Sequence, residues 1–408
     1  PENKLTHSLA SCLYEDKKLL ESFLKKFCSG FFIKTQNINI EQQTIPGLIQ
    51  DSVDESQKKG LPDALIFDDE KCLIIESKVS STLTSDQLRR HENTIRRGGF
   101  KQIRGIGIVV DIVPKVKLDN WIQITWNDVY SWSYKEKNKS EWAKKLLDYF
   151  NVLENNMVED EYLKEGSITE FTGIHFDDEN PYSYREGKRQ LRLLLKKLKS
   201  NKILKEELGI NLNHKGRGGI KKVGNLWDYL TFDTGVKNKS FTDEPHLTIG
   251  VGPDFIEGDL TIPYRIKGRT KKNFYSLSWK SFRKIIENIA NNFHNEFGIS
   301  NSFKPQIIIA QRRYPSQSSP AIHDARLDFD IRTAFKDLSS KLKPTQKKQE
   351  EWLKLVYDIN NNKKSNIQFQ VGARFYFNKN SLVNNKDADK VLCKSFLACK
   401  PLIDYLFK

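Results

Sequence analysis

The sequence predicts two domains of different class: an α/β domain over residues 1–150, with a mixed sheet flanked by helices, and a basic α+β domain over 185–408, joined by an acidic connection at 151–184. Three observations predict this division. Helical and strand periodicities alternate through the first 150 residues in the order α, β, β, β, α, β, β, α. The run 105–113 is apolar without alternation, as in a strand covered on both faces. Between 151 and 181 periodicity fades, and Glu154, Glu159, Asp160, Glu161, Glu165, Glu170, Asp177, Asp178 and Glu179 face a single Lys164.

The elements follow in order. Leu5, Leu9 and Leu13, then Leu20, Phe23, Leu24 and Phe27, recur at helical spacing up to Ser29-Gly30, so one helix is expected over 5–28. Loose alternation predicts a strand at 31–41, and strands at 62–67 and 71–79 are joined by a tight turn at 68–70. Thr84 stands three residues before Gln87, a capping-box spacing, and predicts a helix over 85–97 that stops at Gly98-Gly99. Strands at 105–113 and 121–125 come next, then an aromatic-rich helix capped by Asn127 or Asp128, broken near 135–139 and ending near 149. In the second part the patterns predict helices at 187–208, 279–297 and 346–360, and strands at 246–251, 259–266, 305–310, 325–332 and 367–377.

The 408 residues suffice for two cores without disulfide staples. No stretch approaches the ~18 consecutive apolar residues of a membrane span, which argues against a membrane protein. The five cysteines Cys12, Cys28, Cys72, Cys393 and Cys399 are odd in number and form no Cys-x-x-Cys pair, as in a reduced protein without a zinc site. The opening Pro1-Glu2-Asn3-Lys4 is not a basic head before an apolar run, so a cytoplasmic location is the expectation. Lys and Arg number 67 against 52 Asp and Glu, a net +15 that points to a polyanion partner. The excess is not uniform: residues 1–160 carry 23 basic and 24 acidic side chains, net −1, which leaves +16 for 161–408.

Chemistry concentrates at Pro62-Asp63 and Glu76-Ser77-Lys78. Glu-x-Lys by itself is cheap, since Glu2/Lys4, Glu15/Lys17 and Glu186/Lys188 repeat it. Residues two apart on a strand share a face, however, and Leu73-Ile74-Ile75 makes this strand a buried one, so Glu76 and Lys78 are two charges held on one side of a core strand. The turn at 68–70 folds Asp63 back beside Glu76. Two carboxylates and an ammonium at one place suit phosphodiester hydrolysis: the carboxylates would bind a hard cation, Mg²⁺ (or Mn²⁺), and the lysine would orient or deprotonate the attacking water. A half-buried ion pair at a sheet end is the alternative reading.

These residues, on the second and third strands of an α-β-β-β-α-β core, resemble the PD-(D/E)xK nuclease superfamily, the restriction-endonuclease-like fold, over about the first 130 residues. The resemblance implies that Asp63 and Glu76 bind metal, that the backbone carbonyl of Ser77 adds a ligand, and that Lys78 assists the water. Many members place a glutamate on the first helix at the edge of the site, and Glu2 takes that place here. Some carry Gln-x-x-x-Tyr on the helix after the lysine; this chain has Gln87 with His91 in the tyrosine's position. Gln87 is otherwise the capping-box partner of Thr84, and Glu2 a first-turn carboxylate favoured by the helix dipole.

Two basic stretches are candidates for nucleic-acid binding: Lys215, Arg217, Lys221 and Lys222 in a glycine-rich segment, and Arg265, Lys267, Arg269, Lys271 and Lys272 between Tyr264 and Tyr275, which otherwise read as a solvated loop and a charged hairpin edge. Pro253-Asp254 with Glu257 and Asp259 imitates the nuclease pattern but lacks a following lysine, and Arg326, Asp328, Asp330 and Arg332 share a strand face on which they can pair. The sequence-level expectation is a metal-dependent DNA endonuclease of restriction or anti-phage-defence type, with a C-terminal recognition domain. Cleavage of both strands requires two active sites, so a homodimer is expected, and RNA remains an alternative substrate. Two alternatives stand beside this: a nuclease whose C-terminal domain senses a small signalling nucleotide, and a non-catalytic nucleic-acid-binding protein.

Overall fold

The computed structural model describes residues 2–32, 37–42, 61–79, 81–111, 116, 118–159, 167–174, 176, 181–211, 226–234, 240–313, 315, 322–335, 338, 349–361, 366–377 and 381–408. The chain divides into two compact units, Pro1–Glu170 and Phe171–Lys408.

In the first unit, α1 (Glu2–Glu15) and α2 (Lys17–Phe27) replace the single helix expected over 5–28. Asp16 interrupts it: an extended residue there turns its carboxylate onto Leu19 N (3.0 Å), capping α2, and onto the hydroxyl of Ser140 (2.5 Å). Of the strand expected at 31–41 only β1 (Asn39–Gln42) is seen, with 33–36 outside the described residues. β2 (Ala64–Phe67) and β3 (Lys71–Ser77) form the expected hairpin, and Asp68 fixes its turn by accepting from Glu70 N and Lys71 N. α3 (Ser85–Arg97) then leads to β4 (Gln102–Val109), which pairs parallel with β3 and with β5 (Trp121–Thr125).

The sheet order is β1-β2-β3-β4-β5. Apolar side chains fill both faces. On one side Leu5, Leu9, Phe23, Ile66, Leu73, Ile75, Ile106 and Phe150 form a core with α1, α2 and two helices after β5; on the other, Leu65, Ile74, Leu88, Ile95 and Trp121 form a second core under α3. The helix after β5, α4 (Trp126–Glu136), is capped by Thr125, not by Asn127 or Asp128. Thr125 Oγ1 accepts from Asp128 N (3.1 Å) while Asp128 Oδ2 accepts from Thr125 N (2.8 Å). α5 (Glu141–Glu159) runs well into the stretch read as a connection. Its acidic side chains mask an apolar face of Leu146, Phe150 and Met157, and Glu154 is itself buried, accepting from Ile168 N and the Thr169 hydroxyl.

The second unit has a six-stranded antiparallel sheet in the order β10-β9-β11-β8-β7-β6. The helix expected at 187–208 is two, α6 (Tyr184–Lys199) and α7 (Lys202–Leu208), parted where Asn201 caps Ile203 N. The strands are β6 (Leu226–Thr231), β7 (His246–Val251), β8 (Phe255–Ile262), β9 (Phe303–Arg313), β10 (Ile322–Asp330) and β11 (Ile367–Tyr376). β8 lies four residues before its expected span, because Pro263 has no N–H to continue a ladder. The helices are α8 (Gly268–Tyr275), α9 (Trp279–Phe297), α10 (Glu350–Asn361), α11 (Ala388–Ala398) and α12 (Lys400–Phe407). The sequence reading missed β6, α8, α11 and α12, whose periodicity is short or overlaid by charge. No helix among the described residues is long and apolar enough to cross a membrane.

Candidate active site

The β2–β3 register pairs Ala64 with Ile75, so one step further it sets Asp63 opposite Glu76. Glu76 extends the row Cys72, Ile74 on the α3 side of the sheet, where the apolar floor ends. Ser77 extends the row Leu73, Ile75 on the opposite side, toward α1. A buried strand thus delivers a carboxylate to one face and a hydroxyl to the other.

Glu76 is 2% exposed and is held from three sides. Its Oε1 accepts from Lys78 Nζ (2.8 Å) and from Gln87 Nε2 (2.6 Å), and its Oε2 lies 3.2 Å from His91 Nε2. Gln87 and His91 are one turn apart on α3 and therefore share a face. Thr84 does cap α3 through Gln87 N, at 3.4 Å, but the Gln87 side chain does not return to close the box. It is committed to Glu76. His91 is 2% exposed, so the position that carries tyrosine in related motifs here brings an imidazole against the same carboxylate.

Asp63 is fixed differently. Its Oδ2 accepts from Ser77 N (2.8 Å) and Ser77 Oγ (3.0 Å), while Oδ1 takes no hydrogen bond among the described residues. Ser77 Oγ is in turn 2.6 Å from Thr6 Oγ1 of α1. Burial and then the Glu76 charge raise the Asp63 carboxyl above its ordinary value, with the Ser77 donors and Lys78 opposing. Burial pushes Glu76 upward as well, but the hydrogen bonds and charges of His91 and Lys78 outweigh it and leave its carboxyl below the ordinary value.

Residues 2–151 match the PD-(D/E)XK nuclease superfamily. No curated protein matches the chain. Members of this nuclease superfamily use divalent metals, and the donors present fit one. Two carboxylates repel each other across a partly buried space, one has an oxygen left over, and a cation between them would relieve both. Among the described residues no cluster of three or more His, Cys, Asp or Glu could hold a metal.

Of the other site residues expected from sequence, Glu2 begins α1, but its side chain lies outside the described residues, as do Lys215, Arg217, Lys221 and Lys222. Arg265, Lys267, Arg269, Lys271 and Lys272 do not form a hairpin edge. Arg265 sits in a turn and Gly268 opens α8, whose buried Thr270 and Phe274 leave Arg269, Lys271 and Lys272 exposed. Lys267 is paired with Asp243 (2.7 Å). The imitation motif at 253–259 holds no lysine: Glu257 is bound by Arg374 (3.0 Å), and Asp259 is fully buried, its carboxyl held well above the usual range by burial and by Glu257. Arg326 pairs with Asp328 and Arg332 with Asp330. Sequence reasoning missed Thr6, for which a buried hydroxyl on an apolar helix face was the available signal.

Proposed function

We propose that this protein is a Mg²⁺-dependent endonuclease acting on DNA, in which the first unit cuts and the second holds the substrate. The observation that carries the reading is the convergence of Asp63, Glu76 and Lys78 on one edge of a buried hairpin, with Glu76 fixed by Gln87 and His91. Asp63 and Glu76 would hold the cation, with the Ser77 carbonyl as a further ligand. Bound there, Mg²⁺ would make an attacking water more acidic and neutralise charge on the phosphoryl oxygens. Lys78, 14% exposed, gives the network a cation with a path to solvent, and it would orient the nucleophile or stabilise the charge that develops on the phosphate. Gln87 and His91 keep the Glu76 carboxylate from turning when Lys78 moves to the substrate.

Charge supports the division of labour. Residues 1–170 carry 24 Lys and Arg against 27 Asp and Glu, net −3, so residues 171–408 carry +18. A cutting unit without excess positive charge needs phosphate attraction from elsewhere, and Arg265, Arg269, Lys271 and Lys272 are exposed to supply it. A cavity of about 520 Å³ in the second unit is lined, among the described residues, by Glu207, Asp233, Glu244 and Asp404 with Arg269 as its one cation, the wrong charge for a nucleotide phosphate. The exposed basic surface therefore carries the polyanion contact. A nuclease unit joined to a basic unit fits a restriction or anti-phage-defence enzyme, working as a dimer where both strands are cut.

Incubating the purified protein with plasmid DNA, linear DNA and RNA, in Mg²⁺, Mn²⁺ or EDTA, tests the proposal. Cleavage of DNA that needs metal and falls at least about 100-fold in Lys78→Ala is expected. No cleavage of any substrate, or full activity in Lys78→Ala, makes the Glu76–Lys78 contact a structural ion pair. Preference for RNA would keep the chemistry and change the substrate.

A further inference from the structure

We propose that Thr6 of α1 is a positioning residue of the metal site, acting through Ser77 to fix the rotation of the Asp63 carboxylate; this rests on the nuclease reading above. Ser77 Oγ has one proton and two neighbours, Asp63 Oδ2 at 3.0 Å and Thr6 Oγ1 at 2.6 Å. A carboxylate that holds a cation is ionised and only accepts, so we assign the Ser77 proton to Asp63 and, in the contact with Ser77, the donor role to Thr6. The proposed relay runs from Thr6 to Ser77 to Asp63.

Thr6 is 1% exposed and Ser77 fully buried, so each hydroxyl polarises the next with little competition from water. Ser77 N adds a second donor to the same oxygen, at 2.8 Å. With Oδ2 occupied twice, the carboxylate cannot rotate, and Oδ1 is the oxygen left for a cation. The rigidity comes from α1, since Leu5, Leu9 and Leu13 on either side of Thr6 are fully buried in the core. Outer partners of this kind set the orientation and basicity of a metal ligand, and losing one lowers metal affinity by about 10–100-fold.

The test uses the full chain and Mn²⁺ alone, titrated with free Mn²⁺ read by electron paramagnetic resonance, on wild type, Thr6→Val, Thr6→Ser, Ser77→Ala and the double variant Thr6→Val/Ser77→Ala. Thr6→Val keeps the shape and removes the donor, and Mn²⁺ affinity is expected to fall about tenfold or more. Thr6→Ser should restore it. If Thr6 acts on the metal site through Ser77, the double variant should bind no more weakly than Ser77→Ala, whereas a general structural role would multiply the two losses. Wild-type affinity in Thr6→Val, or multiplied losses in the double variant, overturns the assignment. Should Thr6→Val fail to fold by circular dichroism, wild-type affinity in Ser77→Ala overturns it instead. Asp63→Asn separates this from the parent reading. If wild type does not bind Mn²⁺, or Asp63→Asn binds it equally, the metal site itself falls and the relay with it; if Asp63→Asn loses Mn²⁺ and Thr6→Val does not, only the relay falls.

Discussion

Glu76 and Asp63 face each other at the same end of the β2–β3 hairpin but meet opposite electrostatic conditions, and this difference can be measured. Hydrogen bonds and charge from His91 and Lys78 lower Glu76, whereas burial and the Glu76 charge raise Asp63. A carboxyl raised in the folded state resists ionising, so its contribution to stability is complete below the ordinary value of 3.8 and declines as pH rises through the raised value. Asp63→Asn keeps an acceptor for Ser77 N and removes that decline. In EDTA at pH 7 the variant should melt above wild type, and the gain should shrink toward pH 4. A lower melting temperature at pH 7 would refute the assigned direction. Gln87→Ala removes the shortest bond to Glu76, at 2.6 Å, and should weaken metal binding about tenfold with the melting temperature little changed, as read by calorimetric titration. Asp63, Glu76 and Lys78 were legible from local spacing. The choice Gln87 makes between Thr84 and Glu76 was not, because β3 and α3 meet only after the chain folds.

Helix starts and one glycine carry the element-scale consequences. The Thr125–Asp128 box is closed in both directions at 2.8 and 3.1 Å, while Thr84 makes a single long hydrogen bond of 3.4 Å. Thr125→Ala should therefore destabilise by about 1–2 kcal/mol in urea unfolding and Thr84→Ala by well under about 1 kcal/mol; equal losses would show that bond length does not rank these caps. Gly105 faces Trp121 across β4 and β5, where an added Cβ would fall 2.1 Å from the indole. Gly105→Ala should destabilise by about 1–3 kcal/mol or more, since a buried ring packed against α3's core has little room to shift. At Gly107 the nearest atom is the flexible end of Leu83, so alanine there should be milder. The helices at 85–97 and 279–297 and the strands at 121–125 and 246–251 had the expected bounds, because a cap or clean periodicity marked both ends. The 5–28 and 187–208 helices divided because Asp16 and Asn201 prefer to bond backbone amides locally, an option that hydrophobic periodicity does not register.

Across the whole molecule, all five cysteines are buried and unpaired. Burial raises every one of their thiols, Cys12 and Cys393 to about 11 and Cys72 to about 12. Native protein treated with iodoacetamide at pH 8 should show no alkylation by mass spectrometry, and all five sites should react in denaturant. The split of charge between the units leads to a second measurement. DNA binding should weaken linearly in log–log plots against salt, and removing Arg265, Arg269, Lys271 and Lys272 should flatten the slope by about 0.9 for each phosphate no longer neutralised. Lys267→Ala should change it less, since that ammonium already faces Asp243.

The sequence by itself determined the fold class of both units and the confinement of the positive charge to the second unit, and it singled out the hairpin and the three residues on which the proposed function rests. These follow from composition and from spacings of two to four residues, which reflect strand and helix periods directly. Tertiary structure alone decided what surrounds Glu76 and Asp63. Lys78 and Glu76 are neighbours in sequence, but Gln87 and His91 reach the site because α3 covers β3, and Thr6 because α1 covers the other face, 71 residues away from Ser77 along the chain. Such pairings have no local period, and only the packing of helices onto both faces of one sheet brings them together.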